Sequence, residues 1–141
     1  ITDNPRFACQ HNLIYWRYQP YLGFGAGAHS MNPGRRWWNL ASPQAYIKRI
    51  EASQSARADG EHISRELGMG EMMMLGLRLV REGVSEEEFR KRWGCAISAV
   101  FRSELADLAE LGLVERIGGR VRLTPQARLI GNQVFARFLP G

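Results

Sequence analysis

A glycine pair does most to limit what this chain can fold into. Gly118-Gly119 stands between two short runs, Leu113–Ile117 and Arg120–Leu123, and such a pair accepts the positive φ that a two-residue hairpin turn needs at both central positions. Ahead of the pair, Ile97, Phe101, Leu105 and Leu108 recur at helical spacing over Ala96–Leu111, and Gly112 stops the run. Ser85 and Glu88 form an S-x-x-E capping box opening a shorter helix that buries Phe89 and Trp93 and breaks at Gly94. An earlier helix over about Ser64–Glu82 places Leu67, Gly70, Met74, Leu77 and Arg81 on one stripe, widened by Met73 and Val80 and stopped by Gly83. Its run Met72–Met74 reads as core-facing before it reads as a ligand surface. Behind the hairpin, Thr124 and Pro125 open a last helix carrying Ile130, Val134 and Phe138. Helix, turn, longer helix, hairpin, helix is the order of a winged helix-turn-helix domain, so the expected fold class is α+β and mainly helical.

Residues 1–42 read differently. They are crowded with Phe7, Tyr15, Trp16, Tyr18, Tyr21, Phe24, Trp37 and Trp38 and with Gly23, Gly25, Gly27 and Gly34, and no period lasts long enough to build a core of its own. Tyr21–Ser30 (YLGFGAGAHS) predicts a short strand running into a loop whose glycines let backbone approach a ligand. Ser42 and Pro43 then open a helix through Tyr46, Ile47 and Ile50 that fades into a polar stretch near Gly60. The expected domains are therefore 1–42 and 43–141. The chain begins with Ile1, which predicts a piece of a longer protein. So many aromatics without a partner element predict self-association of the isolated piece through Trp16, Trp37 and Trp38. No apolar run approaches the roughly 20 residues of a membrane span, and Cys9 and Cys95 are too few for a disulfide framework. A cytoplasmic location is expected.

The formal charge of +5 divides into +5 over residues 1–50, −5 over 51–115 and +5 over 116–141. DNA binding is the obvious hypothesis for a winged helix, with Ala96–Leu111 in the major groove. That helix offers Arg102 and Ser103 but also Glu104, Asp107 and Glu110, which a duplex would repel. Arg116, Arg120 and Arg122 around the hairpin can reach phosphates, yet edge strands commonly carry such charges. Arginine outnumbers lysine 17 to 2. Its planar fork suits carboxylates and phosphates, although genome composition explains the ratio as well. No phosphate-binding loop is present, because GFGAGA lacks the following Lys-Ser/Thr. Two histidines without an acidic partner do not make a metal site, and His62 is expected in solvent.

The specific signal precedes the helices. His11–Trp16 reads HNLIYW and is followed in order by YLGFGAGAHS and by RRWWN at Arg35–Asn39. Together these resemble the end of the barrel and its exit segment in the oxygen-independent coproporphyrinogen III oxidase-like radical SAM family, and HNLIYW has the HNxxYW form of its HemW-type heme-chaperone branch. Gly76–Leu79, Glu82–Val84, LAELGLVER and RLTPQARLIGN resemble that family's C-terminal domain. The resemblance implies heme binding with His11 as iron ligand, delivery of heme to acceptor proteins, and Gly25, Gly27 and His29 near an S-adenosylmethionine pocket in the parent. It implies also a 4Fe–4S cluster on a CxxxCxxC motif that this chain does not contain. The enzyme of the same family, which converts two propionates to vinyls with loss of CO₂, is the alternative.

The residues carry their own argument. A neutral imidazole is a good iron ligand, Tyr15 and Trp16 can stack on a porphyrin face, and Arg17, Arg35 and Arg36 suit propionates. The plainer alternatives are a His11 bonded to backbone at a chain crossing, with Tyr15 and Trp16 as packing residues, and a His29 in an ordinary strand-to-loop turn.

Overall fold

The structure, a computed structural model, describes residues 8–140; Ile1 and Phe7, named above, and Asp3 and Arg6, which enter the charge of residues 1–50, lie outside the described residues. It comprises two compact units, a smaller one of residues 19–64 and a larger one of the residues up to Tyr18 with those from Arg65 onward. The boundary expected at 42/43 falls inside the smaller unit.

The smaller unit is a three-stranded antiparallel sheet with one helix. Strands β1 (His29–Asn32), β2 (Arg35–Asn39) and β3 (Arg57–His62) pair in that order, and helix α2 (Pro43–Glu51) lies between β2 and β3 in sequence. Pro33 and Gly34 join β1 to β2, with Gly34 at φ 83°; proline followed by a residue of positive φ is the type II turn pattern. Ser42 caps α2 through its Oγ, which accepts from the Ala45 N–H at 3.4 Å, ahead of Pro43. The polar stretch read as the fading end of that helix is strand β3. All six of its residues are exposed, so no alternation marks it in the sequence.

The larger unit holds helices α1 (Gln10–Trp16), α3 (Arg65–Gly76), α4 (Glu86–Trp93), α5 (Ile97–Val100), α6 (Arg102–Glu110) and α7 (Gly131–Ala136). Its sheet runs β4 (Val84–Ser85), β6 (Arg120–Leu123), β5 (Val114–Ile117). The expected hairpin forms: Gly118 and Gly119 stand at φ 59° and 70° between Ile117 and its cross-strand partner Arg120, as a type I′ turn demands. Ser85 caps α4 by accepting from the Glu88 N–H at 3.2 Å, and Gly94 ends it in the left-handed region.

Three expectations shift. The helix predicted to reach Glu82 stops at Gly76, and its buried face is Met69, Met72, Met73 and Gly76 with Leu77 beyond, while Arg81 is exposed. The helix predicted over Ala96–Leu111 breaks at Phe101, whose buried ring meets Phe89 and Phe138 edge-on at 6.4 and 5.3 Å. Thr124 does not cap; its hydroxyl donates to the Gly112 carbonyl at 2.7 Å, and a 3-10 turn at Pro125–Ile130 precedes α7. The core gathers Met73, Leu77, Phe89, Ile97, Val121 and Val134, each almost fully buried.

Candidate functional site

Helix α1 carries the HNLIYW motif. At seven residues it is too short to stand alone in water, and its N-cap, Cys9, supplies no side-chain bond. Its hold comes from the C-terminal end. Arg17 donates to Glu82 from Nε at 3.0 Å and from Nη2 at 2.9 Å, a two-pronged pair across 65 residues of sequence. Tyr18 leaves the helix at φ 54°, buries its ring and donates from Oη to Glu71 at 3.1 Å. The Arg92 guanidinium lies 5.3 Å over the Tyr18 ring and donates to the Tyr18 carbonyl. The hydrogen bonds to Glu82, then the negative charges of Glu82 and Glu88, hold the Arg17 guanidinium above its ordinary pKa against the opposing effect of burial.

His11 and Tyr15, one helical turn apart, set their rings edge-on with centroids 4.8 Å apart; His11 is exposed and Tyr15 half-buried. Trp16 lies roughly 100° further round the helix and lines a shallow cleft of about 10 Å³, room for little more than a water, with Arg17, Met72, Gly76, Leu79 and Glu82. The structure thus brings His11 and Tyr15 together and turns Trp16 away from them. The cleft volume is far below the roughly 300–1,000 Å³ of ordinary ligand pockets.

In the smaller unit the glycine loop is held rather than loose. The Gly25 N–H donates to Tyr46 Oη at 3.2 Å, Asn39 Nδ2 donates to the Gly25 carbonyl at 3.0 Å, and the Gly27 N–H donates to the Leu40 carbonyl at 2.9 Å. Gly25 and Gly27 take φ 102° and 68°, values that favour glycine. Ser30, buried at 2% exposure, accepts from the Gly23 N–H at 3.0 Å. His29 is exposed on β1 and packs its ring against its cross-strand partner Trp38, centroids 5.7 Å apart. Of the other arginines, Arg36 pairs with Glu61 at 3.5 Å and Arg35 is exposed at the start of β2. His62 is exposed at the end of β3. Residue spacing gave no sign of Glu82, Glu71, Asn39 or Tyr46, because each acts through a contact distant in sequence.

Among the described residues no group of three or more His, Cys, Asp or Glu could hold a metal ion, and no helix is long and apolar enough to cross a membrane. Cys9 is exposed and Cys95 half-buried, and two cysteines cannot supply the three thiolates of a CxxxCxxC cluster site.

Comparison with known proteins extends this picture. Residues 63–130 match the family described as HemN C-terminal domain. The chain is 60% identical over 142 residues to Heme chaperone HemW of Escherichia coli, covering 96% of this chain and 35% of that protein. It is 40% identical over 130 residues to Heme chaperone HemW of Bacillus subtilis, covering 92% of this chain and 34% of that protein. It therefore spans about a third of the length of these relatives. A solved structure reported as "Coproporphyrinogen III oxidase (HemN) from Escherichia coli is a Radical SAM enzyme" superimposes with TM-score 0.58 at 20% identity over 85% of this chain and 28% of that one, which shows a shared fold. The class of protein is thus a mixed α/β one of HemN C-terminal-domain type. The chain is similar to the C-terminal portion of oxygen-independent coproporphyrinogen III oxidase-like proteins, with proteins named heme chaperone HemW among its relatives.

Proposed function

We propose that this chain is the C-terminal part of a heme chaperone, in which the exposed face of α1 binds heme for delivery to acceptor proteins. One observation carries the reading: the HNLIYW histidine stands in solvent, edge-on to Tyr15, on a helix whose other side is anchored. An exposed imidazole is a competent iron ligand, and a surface site suits a cargo that must leave again. In this reading His11 is the axial ligand and Tyr15 an aromatic contact, with Trp16 supporting α1 from the cleft side. Arg17 can serve as a propionate partner only by giving up Glu82.

Residues 1–42 are read as the end of the parent's barrel and 43–141 as the family's C-terminal winged-helix domain, with the Gly118-Gly119 hairpin as wing. The loop of Gly25 and Gly27, with His29 after it, would lie near S-adenosylmethionine in the parent, where the 4Fe–4S cluster is held by cysteines outside this chain. When bound in the parent, the cluster would supply the chemistry that activates S-adenosylmethionine; the residues here would contribute a fixed glycine backbone. The relatives named heme chaperones favour this reading over the family's oxidase chemistry. Against the DNA-binding alternative stand the carboxylates of α6 and the wing arginines, each of which is already paired with an acid.

The test is a heme titration of the full-length protein followed by absorbance. Stoichiometric binding is expected, weakened in His11→Ala by at least about 10-fold, the loss that removing even an outer partner of a metal ligand brings. Equal binding by the variant would remove the ligand assignment, and no binding by the wild type would turn attention to the oxidase reading.

A further inference from the structure

We infer that Glu82 is a positioning residue of the heme face: it draws Arg17 to the far side of α1 and so sets the helix rotation that leaves His11 exposed beside a half-buried Tyr15. This rests on the heme-binding reading of that face. Helix α1 has no N-terminal side-chain cap and only seven residues, so its own sequence does not fix its rotation. Glu82, by contrast, is fixed from behind. Arg120 on β6 donates from Nε to the Glu82 carbonyl at 2.5 Å and from Nη2 to its carboxylate at 3.5 Å. Gly83, at φ 62°, is packed so closely that a Cβ there would run into the Val121 carbonyl, leaving the backbone at this point no slack.

The Glu82 backbone is thus held by Arg120, and Arg17 meets its carboxylate with two nitrogens at once. A two-pronged pair sets an angle as well as a distance. Because Arg17 follows directly on α1, that angle turns Trp16 into the cleft with Met72 and Gly76 and carries His11 outward beside Tyr15. If Arg17 instead served as a propionate ligand, Glu82 would be its competitor, and removing the carboxylate would strengthen heme binding. Positioning predicts the opposite sign.

The experiment compares full-length wild type, Glu82→Gln, Arg17→Gln and the double variant. Heme affinity by absorbance titration should fall about 5-fold in each single variant, the size of effect an ion pair of this exposure supports. The double variant should lose no more than either single one, as two residues acting through one contact require. The Soret position should stay that of the wild type, since His11 is untouched. Unchanged or tighter binding in Glu82→Gln, additive losses, or a lower unfolding temperature with unaltered affinity would each overturn the inference. Amide exchange of residues 10–17 gives a reading that needs no heme. It should accelerate in Glu82→Gln even if the wild type proves not to bind heme, an outcome that would remove the functional reading alone; unaltered exchange would remove the positioning role.

Discussion

Gly70 and Gly68 show how single residues decide the packing of α3. A Cβ at Gly70 would run into the Phe138 carbonyl, and one at Gly68 would come within 2.6 Å of the Trp93 ring. Glycine inside a helix costs about 1 kcal/mol relative to alanine, and here it admits a neighbouring chain that alanine would push away. Gly70→Ala should therefore destabilise the larger unit by about 1–3 kcal/mol, as overpacking does, despite the better helix propensity; chemical denaturation followed by helical circular dichroism measures it. An unchanged or raised midpoint would mean that the C-terminal turn yields at no cost. His11, Tyr15 and Trp16 were singled out through a motif, but helix α1, which sets His11 and Tyr15 one turn apart, was not legible, because seven residues carry too short a period. Glu82 was not legible, because a carboxylate acquires this role only through a partner 65 residues earlier.

Legibility among the elements followed the local signals. The β5–β6 hairpin and the capped helix α4 were readable, since Gly118-Gly119 and the Ser85–Glu88 box act over two to four residues. The β1–β2–β3 sheet was not read, although Pro33-Gly34 carried a turn signal, because RRWWN and RADGEH show no alternation of apolar and polar residues. The break between α5 and α6 has no glycine or proline to announce it; it follows from the packing of Phe101 between Phe89 and Phe138. Helix α4 depends on its cap more than its length suggests. Its first turn holds Glu86, Glu87 and Glu88 and its last Arg90, Lys91 and Arg92, the arrangement that a helix dipole favours. Ser85→Ala removes the acceptor for the Glu88 N–H and should cost about 1 kcal/mol, read as a lower unfolding midpoint, whereas Ser85→Asp should retain most of the stability. Equal midpoints for wild type and Ser85→Ala would show that water satisfies the Glu88 amide as well as the hydroxyl does.

For the molecule as a whole, the net charge of +5 and the hairpin-bearing unit invite a nucleic-acid role that the pairing of its charges opposes. Arg116 meets Glu86, Arg122 meets Glu115 at 2.6 Å, Arg120 meets Glu82 at 3.5 Å, and Arg137 meets Asp107 at 2.8 Å. A phosphate approaching any of these cations approaches its carboxylate as well, so fewer counterions leave the duplex than the arginine count suggests. On α6 the donors Arg102 and Ser103 share the helix with Glu104, Asp107 and Glu110, whose charges a duplex would repel. The full-length protein should therefore bind a labelled duplex no more tightly than roughly 10⁻⁴–10⁻⁶ M near physiological salt, the range of non-specific association. Fluorescence anisotropy across unrelated sequences should show no preference among them. Tight binding to one sequence with a steep salt dependence would return the helix and hairpin to a DNA-reading role and leave the exposed His11 face to be explained separately.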